Sequence, residues 1–149
     1  MNIFNFIEET LSEGGSSYNP EFGTKPESGY MVSIKDAIKV KFDNKEETVQ
    51  DAVHKALTMY GSLLVDSDNF LGSWISDDGH LYVDIAKNVQ DIRIAIKLGM
   101  LNDQLAIYDL NKVRDIKLKT RQKCGTEMQQ ATYMELAIEE TIKENKIQI

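Results

Sequence analysis

The sequence predicts an α+β protein with a mainly antiparallel sheet, a central hairpin and about four packing helices. Three observations lead there. Strand-like and helix-like segments are mixed along the chain rather than alternating regularly. The best-defined strand pair is a hairpin, "FLGSWISDDGHLYVDIA", in which two apolar β-prone runs flank Asp78-Gly79, a strong tight-turn signal. Four segments carry an apolar stripe at helical spacing.

Taken in order, Ile3, Phe4, Ile7 and Leu11 predict a first helix, stopped by Gly14-Gly15. Residues 12–29 predict a long irregular loop, with both prolines (Pro20 and Pro26) and no surviving period. Tyr30, Val32 and Ile34, then Ile38, Val40 and Phe42, alternate with polar residues and predict two strands. A helix follows with Thr48 as its expected N-cap; Val49, Val53, Ala56, Leu57 and Tyr60 form its buried stripe, and Gly61 its end. After the hairpin, Asn88 is the expected cap of a helix closed by Gly99. "QLAIYDL" predicts a strand with Leu105, Ile107 and Asp109 on one face, and "KVRDIKLK" predicts another. A C-terminal helix over 126–146 starts with a capping box, Thr126 and Gln129.

A length of 149 residues predicts one domain with a real core. No apolar run is long enough to span a bilayer, and "MNIFNFIEET" lacks the basic region and cleavage site of a secretion signal. One cysteine, Cys124, allows no internal disulfide and no cysteine-rich zinc site. The net charge is −7, unevenly spread: residues 1–30 and 61–90 each sum to −4, and residues 91–120 to +2. An acidic chain without a dominant basic surface is not a typical duplex DNA binder; it suits basic partners.

"SDDGHLYVD" concentrates ionisable residues. As a turn leading into a strand, it places Asp77 and Asp78 at the reversal and His80, Tyr82 and Asp84 on one face. His80 and Asp84 would stand roughly 13 Å apart by strand rise, too far for one metal ion. His54 reads as a half-exposed helix residue rather than a general base, and Cys124 as an ordinary thiol. No glycine-rich phosphate loop, Gly-x-Ser-x-Gly or His-Glu-x-x-His motif occurs. The expectation is no catalytic set, no metal and no cofactor. The acidic face of the last helix reads as solvated, with phosphate mimicry as the alternative.

In the basic segment, Lys117, Lys119, Arg121 and Lys123 would line one face of a strand. Nucleic acid is expected only through residues 112–123, and the competing reading is an edge strand protected by lysines. No aromatic interleaves there to stack bases.

Three blocks, "GGSSYNPEFGTKPESGYMVSI", "FLGSWISDDGHLYVDIAKNV" and "AIKLGMLNDQLAIYDLNK", follow in order. Their pattern resembles a group of small bacteriophage and mobile-element proteins. The matching positions are Tyr18, Asn19, Gly23, Pro26, Gly29, Tyr30, Val32 and Ser33, then Gly72, Trp74, Gly79, Tyr82 and Asp84, then Ala106, Ile107 and Asp109. This chain departs in one place, with Asp103 separating Asn102 from Gln104. The resemblance implies origin rather than mechanism: a phage or mobile-element protein in the cytoplasm of an infected bacterial host. It directs attention to a loop-and-hairpin patch of Tyr18, Asn19, Phe22, Tyr30, Trp74, Tyr82 and Asp84.

Two functions remain expected. One is a non-enzymatic module that binds a host or phage macromolecule, most simply a protein, with inhibition of host defence as one such role. The other is a small enzyme with a site between loop 14–29 and the Trp74/Tyr82/Asp84 face.

Overall fold

The computed structural model describes residues 1–148 and shows an α+β protein with four α-helices and seven strands in antiparallel arrangement. Its contacts divide into two compact units. Residues 1–27 and 34–88 form the first unit, and residues 28–33 and 89–149 the second. No helix among the described residues is long and apolar enough to cross a membrane.

In the first unit, α1 spans Ile3–Glu13. Asn2 and Asn5 close a reciprocal capping box at its start, and Gly14 ends it at φ 83°. The next element corrects the sequence reading. Residues 12–29 are not irregular throughout, because Gly15–Tyr18 form an edge strand, β1. It lies antiparallel to β4 (Asn69–Ile75), with Ser17 opposite Gly72 and Tyr18 opposite Leu71. Four residues are too few to show a period, and their partner lies more than fifty positions away.

β3 (Ile38–Lys41) and β5 (His80–Val89) complete the unit's strands in the order β1-β4-β5-β3. α2 (Glu46–Tyr60) and a short 3-10 turn (Gly61–Val65) intervene. α2 begins before Thr48: its hydroxyl donates to Asp43 Oδ1 at 2.6 Å instead of capping the helix. Phe6 and Ile7 of α1 and Val49, Val53 and Ala56 of α2 pack on Leu71, Leu81, Val83 and Ile85. Both helices therefore cover one face of the strands. The cross-strand rows of the other face are fixed by register.

The second unit holds β2 (Tyr30–Ser33), α3 (Ile92–Leu101), β6 (Ala106–Asp109), β7 (Arg114–Lys117) and α4 (Glu127–Glu144). Val32, Ile96, Met100, Ile107, Ile116, Met134 and Ile138 share its core. Asn88 does not cap α3, since β5 runs on to Val89. Asp91 takes that role and accepts from the Arg93 and Ile94 amides. Gly99 does not end the helix; it brings α3 close to the side chains of Ile107 and Leu118, which leave no room for a Cβ. Leu105, expected on the core face of β6, is exposed because it precedes the strand. Thr126 and Gln129 close the predicted capping box of α4.

Candidate functional site

The hairpin comes first because the sequence concentrates its polar residues there. β4 and β5 meet through Ser76, Asp77, Asp78 and Gly79, a four-residue connection with Gly79 at φ 84°. The Ser76 amide donates to the His80 carbonyl at 2.8 Å, and the Gly79 amide to the Ser76 carbonyl at 3.1 Å. Asp78 hydrogen-bonds the Ser76 hydroxyl and lies 3.0 Å from His80 Nδ1. The Ser76 hydroxyl first, then His80, hold the Asp78 carboxyl below its ordinary range. The turn thus uses Asp78 to fix its own geometry. No group of three or more His, Cys, Asp or Glu side chains among the described residues is placed to hold a metal ion.

Beyond the turn, cross-strand partners share a face. One row runs Lys39, Tyr82, Trp74, Gly15 from β3 to β1, and the next runs Asp84, Gly72, Ser17. A third pairs Lys41 with His80. Trp74 and Tyr82 stack with ring centroids 5.3 Å apart and planes 26° apart, and Lys39 Nζ sits 5.5 Å from the Tyr82 centroid. Trp74 remains 58% exposed. An indole this exposed, ordered on a strand and braced by a second ring, is a contact surface in physical terms: large area with little side-chain entropy left to lose.

The loop contributes differently from the sequence expectation. Tyr18 is 2% exposed and points to the opposite, core face, where its ring lies 4.9 Å from that of Phe6. Asn19 is also buried. Its Nδ2 donates to the carbonyls of Leu64, Asp66 and Asn69, and its Oδ1 accepts from the amides of Glu21 and Phe22. Both residues organise the loop and are removed from any outward contact patch. Phe22 is exposed just beyond this anchor. Tyr30 belongs to the second unit, opposite buried Asp109 and against that unit's core; burial, then Asp109, raises its phenol pKa. The residues brought together on one face are therefore Trp74, Tyr82 and Asp84. Sequence reasoning missed Lys39, Gly15 and Ser17, although the hairpin turn and the Lys39/Lys41 alternation carried part of that register.

The basic row is also different. β7 ends at Lys117, so Lys119, Arg121 and Lys123 lie outside any strand. The Lys117 amide donates to Asn145 Oδ1, and its carbonyl accepts from Asn145 Nδ2. Lys119 pairs with Glu144 at 2.8 Å, while Lys123 and Arg121 both approach Asp103, at 3.1 and 3.4 Å. Lys123 first holds the Asp103 carboxyl below its ordinary range. Lys119, Arg121, Lys123 and Asp103 line a surface cavity of about 290 Å³ together with Met100, Leu105 and Leu118. Their charge is spent largely on the chain's own acids, which weakens a phosphate-binding reading.

Fold and site together define an α+β protein with a braced aromatic pair on the strand face opposite α1 and α2. Neither a family model, nor a curated protein, nor a solved structure matches the chain.

Proposed function

We propose that this protein is a non-enzymatic binding module that engages a macromolecule through the Trp74/Tyr82 face. In this reading it serves a phage or mobile element as an accessory protein and acts on a host or phage protein in the bacterial cytoplasm, inhibition of host defence being one such role. The observation that carries the reading is the exposed Trp74 ring held in place by Tyr82. A tryptophan this exposed presents apolar area that water disfavours, and a partner surface would relieve that cost.

The alternative, an enzyme site between loop 14–29 and the hairpin face, is supported less well. It needs the loop to close over the hairpin, yet Tyr18 and Asn19 turn to the core and only Ser17 of β1 shares the Asp84 row.

The test is co-purification from bacterial cells, infected and uninfected, using the full chain, a Trp74→Ala/Tyr82→Ala variant and a Lys119→Ala/Lys123→Ala variant. A partner lost with the aromatic variant and kept with the lysine variant is the expected result. A partner retained by the aromatic variant sinks the assignment of this face. Deleting residues 14–29 would be uninformative, because it removes β1 and the buried Tyr18.

A further inference from the structure

We propose that the outer edge of β1 receives an extended basic segment of a partner protein as an added strand, an inference that rests on the binding-module reading and names how the partner is held. β1 ends the strand order, with β4 on one side and no strand on the other. In an antiparallel pair, residues whose backbone groups face the partner strand alternate with residues whose groups face away. The Ile75 amide donates to the Gly14 carbonyl, so positions 14, 16 and 18 face β4. The N–H and C=O of Gly15, Ser17 and Asn19 therefore point outward. Asn19 confirms the phase: its amide donates to the Thr24 carbonyl at 2.8 Å, and its carbonyl accepts from the Gly23 amide at 2.7 Å.

The chain closes its own edge at Asn19 and stops there. Asn19 and Thr24 form an isolated antiparallel bridge. Continued by two residues, that pairing would set Pro26 opposite Ser17, and proline has no N–H to give. Lys25 is held by Glu9 of α1 at 2.6 Å. Among the described residues, no group hydrogen-bonds the outward amides and carbonyls of Gly15 and Ser17, and both residues are only half-buried. Two alternate residues with free donors and acceptors are the pairing unit of strand addition, and a short extended segment would make about four hydrogen bonds to them. The edge is also ordered before any partner arrives. Tyr18 is locked in the core, and Asn19 ties the chain to the Leu64, Asp66 and Asn69 carbonyls. Little conformational freedom remains to be lost on binding. The added residue opposite Gly15 would fall in the Trp74 row, on the same sheet face.

Charge selects the class of segment. Residues 1–27 and 34–88, which include β1 and β4, carry 15 acidic against 7 basic side chains, net −8. The rest of the chain carries 9 against 10, net +1. Glu13 and Glu21 flank β1 in the chain; both are exposed, and among the described residues neither forms a salt bridge. A cationic strand is attracted to this edge and an acidic one is repelled. A second copy of the chain would bring the same acidic edge, so like charges oppose self-pairing.

The experiment measures amide exchange by NMR on the full-length protein, alone and with three blocked peptides. These are (Lys-Val)3, (Glu-Val)3, and (Lys-Val)3 N-methylated at every residue, which keeps its charge but has no amide donors. Alone, the Gly15 and Ser17 amides should exchange fast, while those of Ser16 and Tyr18, which face β4, exchange slowly. Saturating (Lys-Val)3 should slow Gly15 and Ser17 roughly tenfold or more. The effect should weaken as salt rises. The two control peptides should slow neither amide. No added protection from (Lys-Val)3, equal protection from either control peptide, or protection that grows with protein concentration alone would overturn the proposal. The last result would assign the edge to a second copy of the chain. In each of those cases, a cellular partner still lost with the Trp74→Ala/Tyr82→Ala variant leaves the binding-module reading standing. If that partner is retained, the binding-module reading fails as well.

Discussion

At the scale of single residues, Tyr18 and Asn19 belong to the interior although the sequence places them in an outward loop patch. Asn19 looks like a polar loop residue open to solvent, yet it satisfies three carbonyls and two amides from inside the fold. Asn19→Ala should lower unfolding free energy by about 2–3 kcal/mol, since it strands several buried partners; urea denaturation measures this. Tyr18→Ala should cost about 3 kcal/mol or more through lost core volume. Trp74→Ala should stay within about 0.5 kcal/mol, as a surface change should, while abolishing partner capture. Equal destabilisation by the two aromatic substitutions would contradict the opposite-face assignment. Asp78 yields a pH prediction. Its carboxyl is held below the ordinary value of 3.8 in the folded chain, so its contribution is present above that pH and lost as pH falls below it. Ser76→Ala removes the largest cause, and NMR titration should show the Asp78 midpoint moving up.

At the scale of elements, the turns and most helix ends were readable because their signals are local. Asp78-Gly79 announces the hairpin, and Thr126 with Gln129 announces α4. Two helix starts were misplaced for a physical reason. Thr48 and Asn88 are good capping residues in isolation, but Asp43 engages the first, and β5 extends through the second. β1 was missed because its pairing partner is remote. The second unit closes an edge in a way no local pattern announces: the Asn145 amide side chain bonds both backbone groups of Lys117, as a neighbouring strand would. Asn145→Ala should cost about 1–2 kcal/mol. It should also raise amide exchange at Lys117, and unchanged protection there would refute the edge-closing role.

At the scale of the whole molecule, charge and architecture are partitioned together. Each unit has its own apolar core, and the acidic excess resides in the unit that carries Trp74 and Tyr82. Binding of a basic partner should therefore weaken steadily as ionic strength rises, through slower association above all. Salt-independent affinity in stopped-flow measurements would show that the field of the first unit plays no part. The basic segment should contribute little, because Glu144 and Asp103 already engage Lys119, Arg121 and Lys123.

The sequence by itself determined the α+β class, the hairpin, the helical stripes and the acidic balance, all properties of composition, short-range period and turn chemistry. It also singled out Trp74, Tyr82 and Asp84, because alternation about a recognisable turn assigns residues to one strand face. Only the tertiary structure decided that Tyr18 and Asn19 belong to the interior, that Gly15 stands opposite Trp74 in the register, and that Lys39 lies over the Tyr82 ring. Those facts depend on which distant strands pair and in what register, a choice set by long-range burial that no short stretch of chain encodes.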